Sequence, residues 1–122
     1  MKFKSYEKAA TLRLLTLMPV ADGAVDAREV GLLQILTRKL GATSSDIAAG
    51  REMSISKALS IAKGMSADKK KIVCALLSDL IIVDGNVDKE EIALWVDICE
   101  KCEFPYMNVV TAHKITLDFI NK

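Results

Sequence analysis

Apolar residues recur at helical spacing along most of this chain, and no segment alternates in the period-two manner of a strand. Residues 5–20 carry Leu12, Leu14, Leu15, Leu17 and Met18, apolar on more than one side, which predicts a largely buried first helix. A second helix is predicted from Asp26 to Leu40, with Val30, Leu33, Leu36 and Leu40 inward and Gly41 as its C-cap glycine. Residues 42–65 are richer in small side chains. Thr43 or Ser44 can cap a short helix ending near Gly50, and Ser54 another ending near Gly64. Ser66 opens a fifth helix whose residues Ile72, Val73, Leu76, Leu77, Leu80 and Ile81 form two adjacent apolar stripes, so it is expected at the centre. The sixth runs from Asp88 to about Glu103, with Ile92, Trp95, Ile98, Cys99 and Cys102 inward. Pro105, well suited to a first helical turn, is expected to start the seventh, docked through Met107, Val110, Ile115, Leu117 and Phe119.

One phrase occurs twice within this pattern. DGAVDARE begins at Asp22 and DGNVDKEE at Asp84. The flanks match as well: Leu14 and Leu15 precede the first copy as Leu76 and Leu77 precede the second. Val30 and Leu32 after the first copy correspond to Ile92 and Leu94. Such matching marks an internal duplication of a helix–turn–helix unit. The expected fold is all-α, a single bundle of about seven helices over residues 1–122. Repeat one covers about 7–41 and repeat two about 66–104, with linker helices over 42–65 and a C-terminal helix over 105–121.

Each residue of the phrase has a backbone role. Gly23 and Gly85 suit a left-handed turn after a helix. Asp26 and Asp88 are good N-caps, and Glu29 and Glu91 stand at the capping-box position. Val25 with Val30, and Val87 with Ile92, fit a hydrophobic staple. The same letters also match the back half of an EF-hand loop. The front half fails, because its first and third ligand positions would fall on Met18 and Val20, and on Leu80 and Ile82, which offer no side-chain oxygen. A looser acidic site stays open beside the capping reading. Asp22, Asp26 and Glu29 can converge within one turn, as can Asp84, Asp88 and Glu91. Such hard carboxylate ligands favour calcium, magnesium or manganese.

The segments ADGAVDARE and VDGNVDKEE, each set between two apolar helices, resemble the TerB-like domain of bacterial tellurite-resistance proteins. That domain is also known at the N-terminus of a membrane-anchored J-domain co-chaperone. The resemblance spans roughly residues 7–117. It implies an all-helical fold without catalytic activity, a link to tellurite or stress resistance, and a metal-binding acidic patch at Asp22, Asp26, Glu29, Asp84, Asp88 and Glu91. Pro19, where the second copy has Ile81, departs from the repeat and can end the first helix early.

Composition narrows the remaining classes. With 51% hydrophobic residues, burial can support the fold without disulfides. A net charge of +1 gives no electrostatic case for nucleic acid. No signal peptide or membrane-length apolar run is visible, so a cytoplasmic protein is expected. Cys99 and Cys102 form a C-x-x-C pair that, with Cys74 and His113, invites a zinc or redox reading. Their place on an apolar stripe, far from a helix N-terminus, favours buried core thiols, and His113 reads as an ordinary helix-surface residue. No phosphate-binding loop or activated nucleophile is present, and no enzyme is expected. Two functions remain: a stress-linked domain binding a divalent cation through the acidic turns, or a metal-free module docking a protein partner, including one at a membrane surface.

Overall fold

The computed structural model describes residues 2–18, 26–83, 85 and 87–122. Its described residues form helices and no strand: α1 (Ser5–Leu15), α2 (Ala27–Lys39), α3 (Ser44–Glu52), α4 (Ile55–Lys63), α5 (Ala67–Ile82), α6 (Lys89–Cys102) and α7 (Val109–Asn121). The caps explain most boundaries. Asp26, Thr43, Ser54, Ser66, Asp88 and Asn108 each accept backbone N–H groups of the turn that follows. Thr43 and Asp46 complete a capping box. The Ser5 hydroxyl also donates to Asp46, tying the start of α3 to the start of α1.

α5 is the hub. Every residue from Val73 to Ile81 is buried, and the helix packs against α1, α2, α6 and α7. α1 rests on α3 and α4, and α4 in turn meets α6. The approach of α3 to α1 depends on Gly50, because a Cβ there would stand 2.9 Å from the Ala9 carbonyl oxygen. Lys69 on α5 reaches back to Glu7 on α1 at 2.7 Å, a pair with side chains only 14% and 6% exposed. Burial pushes the Glu7 carboxyl up, but the bonds from Lys69 and the Lys4 N–H outweigh it, and its pKa falls.

Four expectations are corrected. α1 ends at Leu15, short of residue 20. Leu17 and Met18 tighten into bonds to Leu14 and Leu15 three residues back, and the helical region is disfavoured for the residue preceding a proline, here Pro19. α7 starts at Val109, not at Pro105. Phe104 and Met107 are buried as plugs on the connection, so residues 104–108 lie across the core and Asn108 becomes the cap. α7 docks through Ala112, Ile115, Thr116 and Phe119, leaving Val110 and Leu117 exposed. In α2 and α6 the inward stripe begins one residue earlier than expected, at Glu29 in place of Val30 and at Glu91 in place of Ile92. It runs Glu29, Leu33, Leu36, Leu40 in α2 and Glu91, Trp95, Ile98, Cys102 in α6, while Val30 and Ile92 are 37% and 38% exposed. Both registers keep helical spacing, and packing on α5 selects the one that turns the glutamates in.

The two long repeat helices also end alike. Gly41 after α2 has φ +73, and Glu103 after α6 has φ +56, the left-handed conformation that closes a helix.

Candidate functional site: the two acidic turns

Asp26 and Asp88 occupy the same backbone state, with φ/ψ of −97/136 and −92/136. The Arg28 N–H donates to Asp26 Oδ1 at 2.7 Å, and the Glu90 N–H to Asp88 Oδ1 at 2.8 Å. The capping expectation for both aspartates therefore holds. Gly85 adopts φ +80, the left-handed turn expected of it. Asp22, Gly23, Val25 and Asp84 lie outside the described residues. Of the staple residues that are described, Val30, Val87 and Ile92 all lie at the surface.

Glu29 and Glu91 stand apart from ordinary first-turn acids, since each is only 2% exposed. A carboxylate at this depth costs free energy unless hydrogen bonds or a positive charge compensate it. The positive end of the helix dipole supplies part of that compensation in both copies.

The copies differ in their local charge. Arg28 reaches Asp26 with Nε at 3.3 Å and Nη2 at 3.4 Å. That guanidinium, through its side-chain hydrogen bonds first of all, holds the Asp26 carboxyl below the usual range. In the second copy Glu90 stands where Arg28 stands in the first. The first turn thus carries its own counter-charge and the second adds a carboxylate. The oxygen-only donor set, Asp26 and Glu29 or Asp88 and Glu91 with the preceding aspartate of each phrase, suits a hard divalent cation chemically. Among the described residues alone, no three His, Cys, Asp or Glu side chains gather as a metal site. The described part of each phrase therefore needs Asp22 or Asp84 to complete a cation site.

Two polar pairs escaped the sequence reading. Asp79, buried in the last turn of α5, accepts from or shares a proton with His113 Nδ1 on α7 at 3.0 Å. Its Oδ1 is buried and has no hydrogen-bond partner among the described residues. Burial raises its pKa, and the contact with His113 offsets only part of that rise. His113, expected as a plain surface residue, is instead exposed on one side and bound to Asp79 on the other. An acid inside the most apolar run of the chain was the available signal.

The second pair is Cys74 on α5 and Cys99 on α6, whose Sγ atoms lie 3.7 Å apart. Cys74 and Cys102 are buried, as core thiols should be, whereas Cys99 is only half-buried. Cys102 faces away from this pair, toward the Leu59 carbonyl at 3.6 Å. The C-x-x-C spacing therefore does not define the contact, which joins two helices. Burial pushes the Cys102 thiol up to about 11, and the hydrogen bond with Cys74, then burial, raises Cys99.

No protein-family model and no curated protein matches the chain. Its fold is similar to the crystal structure of a protein of unknown function from Porphyromonas gingivalis W83, at 26% identity and a TM-score of 0.84. The similarity covers 96% of this chain and 92% of that one. The likeness extends over nearly the whole of the all-helical bundle described above. No helix among the described residues is long and apolar enough to cross a membrane.

Proposed function

We propose that this chain is a non-catalytic, TerB-like domain of stress or tellurite resistance that binds a divalent cation through its acidic turns. The observation that carries the reading is the repeated inward carboxylate. Glu29 and Glu91 sit at equivalent positions in two turns of matched backbone, each beside a capping aspartate. A capping function alone does not require burying the third-position acid twice. Calcium, magnesium or manganese would be held by Asp22, Asp26 and Glu29, and by Asp84, Asp88 and Glu91. Arg28 competes for Asp26, so the second turn is the tighter site.

Calorimetric titration with each of the three cations tests this. Heat should appear with the wild type, weaken clearly in Asp88→Asn and weaken less in Asp26→Asn. Asparagine keeps the cap and removes the charge. A cation at about ten times its Kd also stabilises the fold by about 1.4 kcal/mol, which raises the melting temperature. Coincident melting curves with and without millimolar cation, together with no heat, would overturn the proposal.

A second reading draws on the join between α6 and α7. Tyr106 is 99% exposed, and Val96, Val109 and Val110 lie at the surface nearby in sequence or along the same cleft wall. Exposed apolar side chains in such numbers suit a protein partner, the metal-free adaptor alternative. Tyr106→Ser with Val110→Ser should then abolish partner capture while leaving cation heats unchanged.

A further inference from the structure

The packing scheme leaves a gap beside α2. α3 is drawn tightly onto α1, whereas the main neighbours of α2 are α5 and α7. Between α2 and the α1–α3 pair lies a cleft of about 600 Å³. Leu12, Leu33 and Ile47 supply its apolar lining, and Leu33 and Ile47 are only half-buried. Among the described residues its charged groups are Arg38 and Arg51, with Thr37 offering a hydroxyl, and none of those that line it is acidic. Neither arginine takes part in an ion pair among the described residues. The volume falls within the range of small-molecule sites, which are mostly apolar with a few convergent polar groups.

We propose that this cleft binds a small amphiphilic anion, an unbranched apolar chain carrying a carboxylate or phosphate head. The chain lies against Leu12, Leu33 and Ile47, completing the burial that the protein leaves unfinished. The head meets Arg38 and Arg51, whose planar guanidinium groups match carboxylate and phosphate oxygens in pairs. An uncharged ligand would leave both cations in the cleft without a counter-ion, and a cationic one would be repelled. None of these residues belongs to the acidic turns, so the proposal stands apart from the cation reading.

The probes are decanoate, decyl phosphate and decanol, each titrated below its micelle concentration into the full chain by calorimetry, with amide chemical shifts followed in parallel. One-to-one binding of at least one anion is expected, with shift changes on α1, α2 and α3, and decanol weaker by about tenfold or more. Whichever anion binds tighter identifies the head group. Arg38→Met with Arg51→Met should lower anion affinity by a similar factor and leave decanol unchanged. These side chains are at the rim, so the variant is expected to fold, and its melting temperature checks this. Leu33→Trp, which fills the cleft, should block the anions while both arginines remain. Decanol binding as tightly as the anions would overturn the proposal. So would no one-to-one binding by either anion, or shift changes confined to other helices, as for a peptide-type surface elsewhere.

Discussion

Replacing Gly50 with alanine should destabilise the fold, although the same change at Gly31 should stabilise it. Both glycines lie inside helices, where alanine is favoured over glycine by about 0.8–1.0 kcal/mol. At Gly31 a new Cβ meets nothing within 4 Å, so the full gain is expected. At Gly50 it would stand 2.9 Å from the Ala9 carbonyl oxygen and 3.5 Å from Leu12 Cβ. A backbone carbonyl inside α1 cannot swing aside as a flexible side chain would, so α3 must move off. Overpacking of this kind costs about 1–3 kcal/mol, which exceeds the gain in propensity. Gly50→Ala should therefore lose about 1 kcal/mol net, and the two variants should differ by about 1–3 kcal/mol. In thermal melts that spread is about 3–10 °C for a domain of this size. Urea titrations followed by far-ultraviolet circular dichroism give the same comparison with slopes that test whether the denatured state has changed. Equal stability of the two variants would refute the reasoning, since it would mean that α3 does not approach α1 so closely.

Asp88→Ala should cost about 1 kcal/mol and Asp88→Asn very little, read from urea midpoints, because asparagine also accepts the Glu90 N–H. Asp79 gives a pH signature. Its folded pKa is raised, so the folded state holds the proton more tightly and stability falls as pH rises from the ordinary carboxyl value through the folded one. The stability of Asp79→Asn relative to wild type should grow over that window and then level off, and a flat difference from pH 3 to 7 would exclude this role. Glu7 has the opposite sign: its pKa is lowered, so its contribution is present above its ordinary value and lost as pH falls through the folded one. Glu7→Gln should flatten that part of the acid limb in the same titration. A maleimide reagent at neutral pH should label the half-buried Cys99 before Cys74 and Cys102, slowly because its thiol is hard to ionise, and the purified protein should contain no stoichiometric zinc.

The all-helical fold was legible because its signals are local. Caps at Asp26, Thr43, Ser54, Ser66 and Asp88, and the glycine at position 41, mark helix ends through chemistry within a few residues. The position of α5 at the centre followed from its two apolar stripes. What hydrophobicity could not resolve was rotation. Stepping back three residues from Leu33 reaches Val30, stepping back four reaches Glu29, and apolar preference chose the valine. Only the packing of α2 against α5 decides otherwise, and the same ambiguity recurs between Ile92 and Glu91. Pro105 misled for a related reason. A proline that can begin a helix can equally sit in an extended connection, and the burial of Phe104 and Met107 selects the latter. Pairs between distant helices, such as Asp79 with His113 and Cys74 with Cys99, have no sequence spacing to announce them.

Glu103 has a consequence for how the molecule comes apart. A left-handed conformation costs a residue with a Cβ about 1–2 kcal/mol, which Gly41 avoids at the corresponding end of α2. The strain falls just before a short non-helical stretch held by the buried Phe104 and Met107, by the Phe104 N–H donating to the Cys99 carbonyl and by the Cys74 thiol donating to the Pro105 carbonyl, with Tyr106 projecting freely. Opening this stretch relieves the strain and releases two plugs at once, so transient local unfolding should begin here rather than at α5. A protease should find its first cut between residues 103 and 108, severing the covalent link to α7 while its packing on α5 holds it in place. Glycine at position 103 should slow that cut, and the intact chain should then persist longer without any change in what it binds.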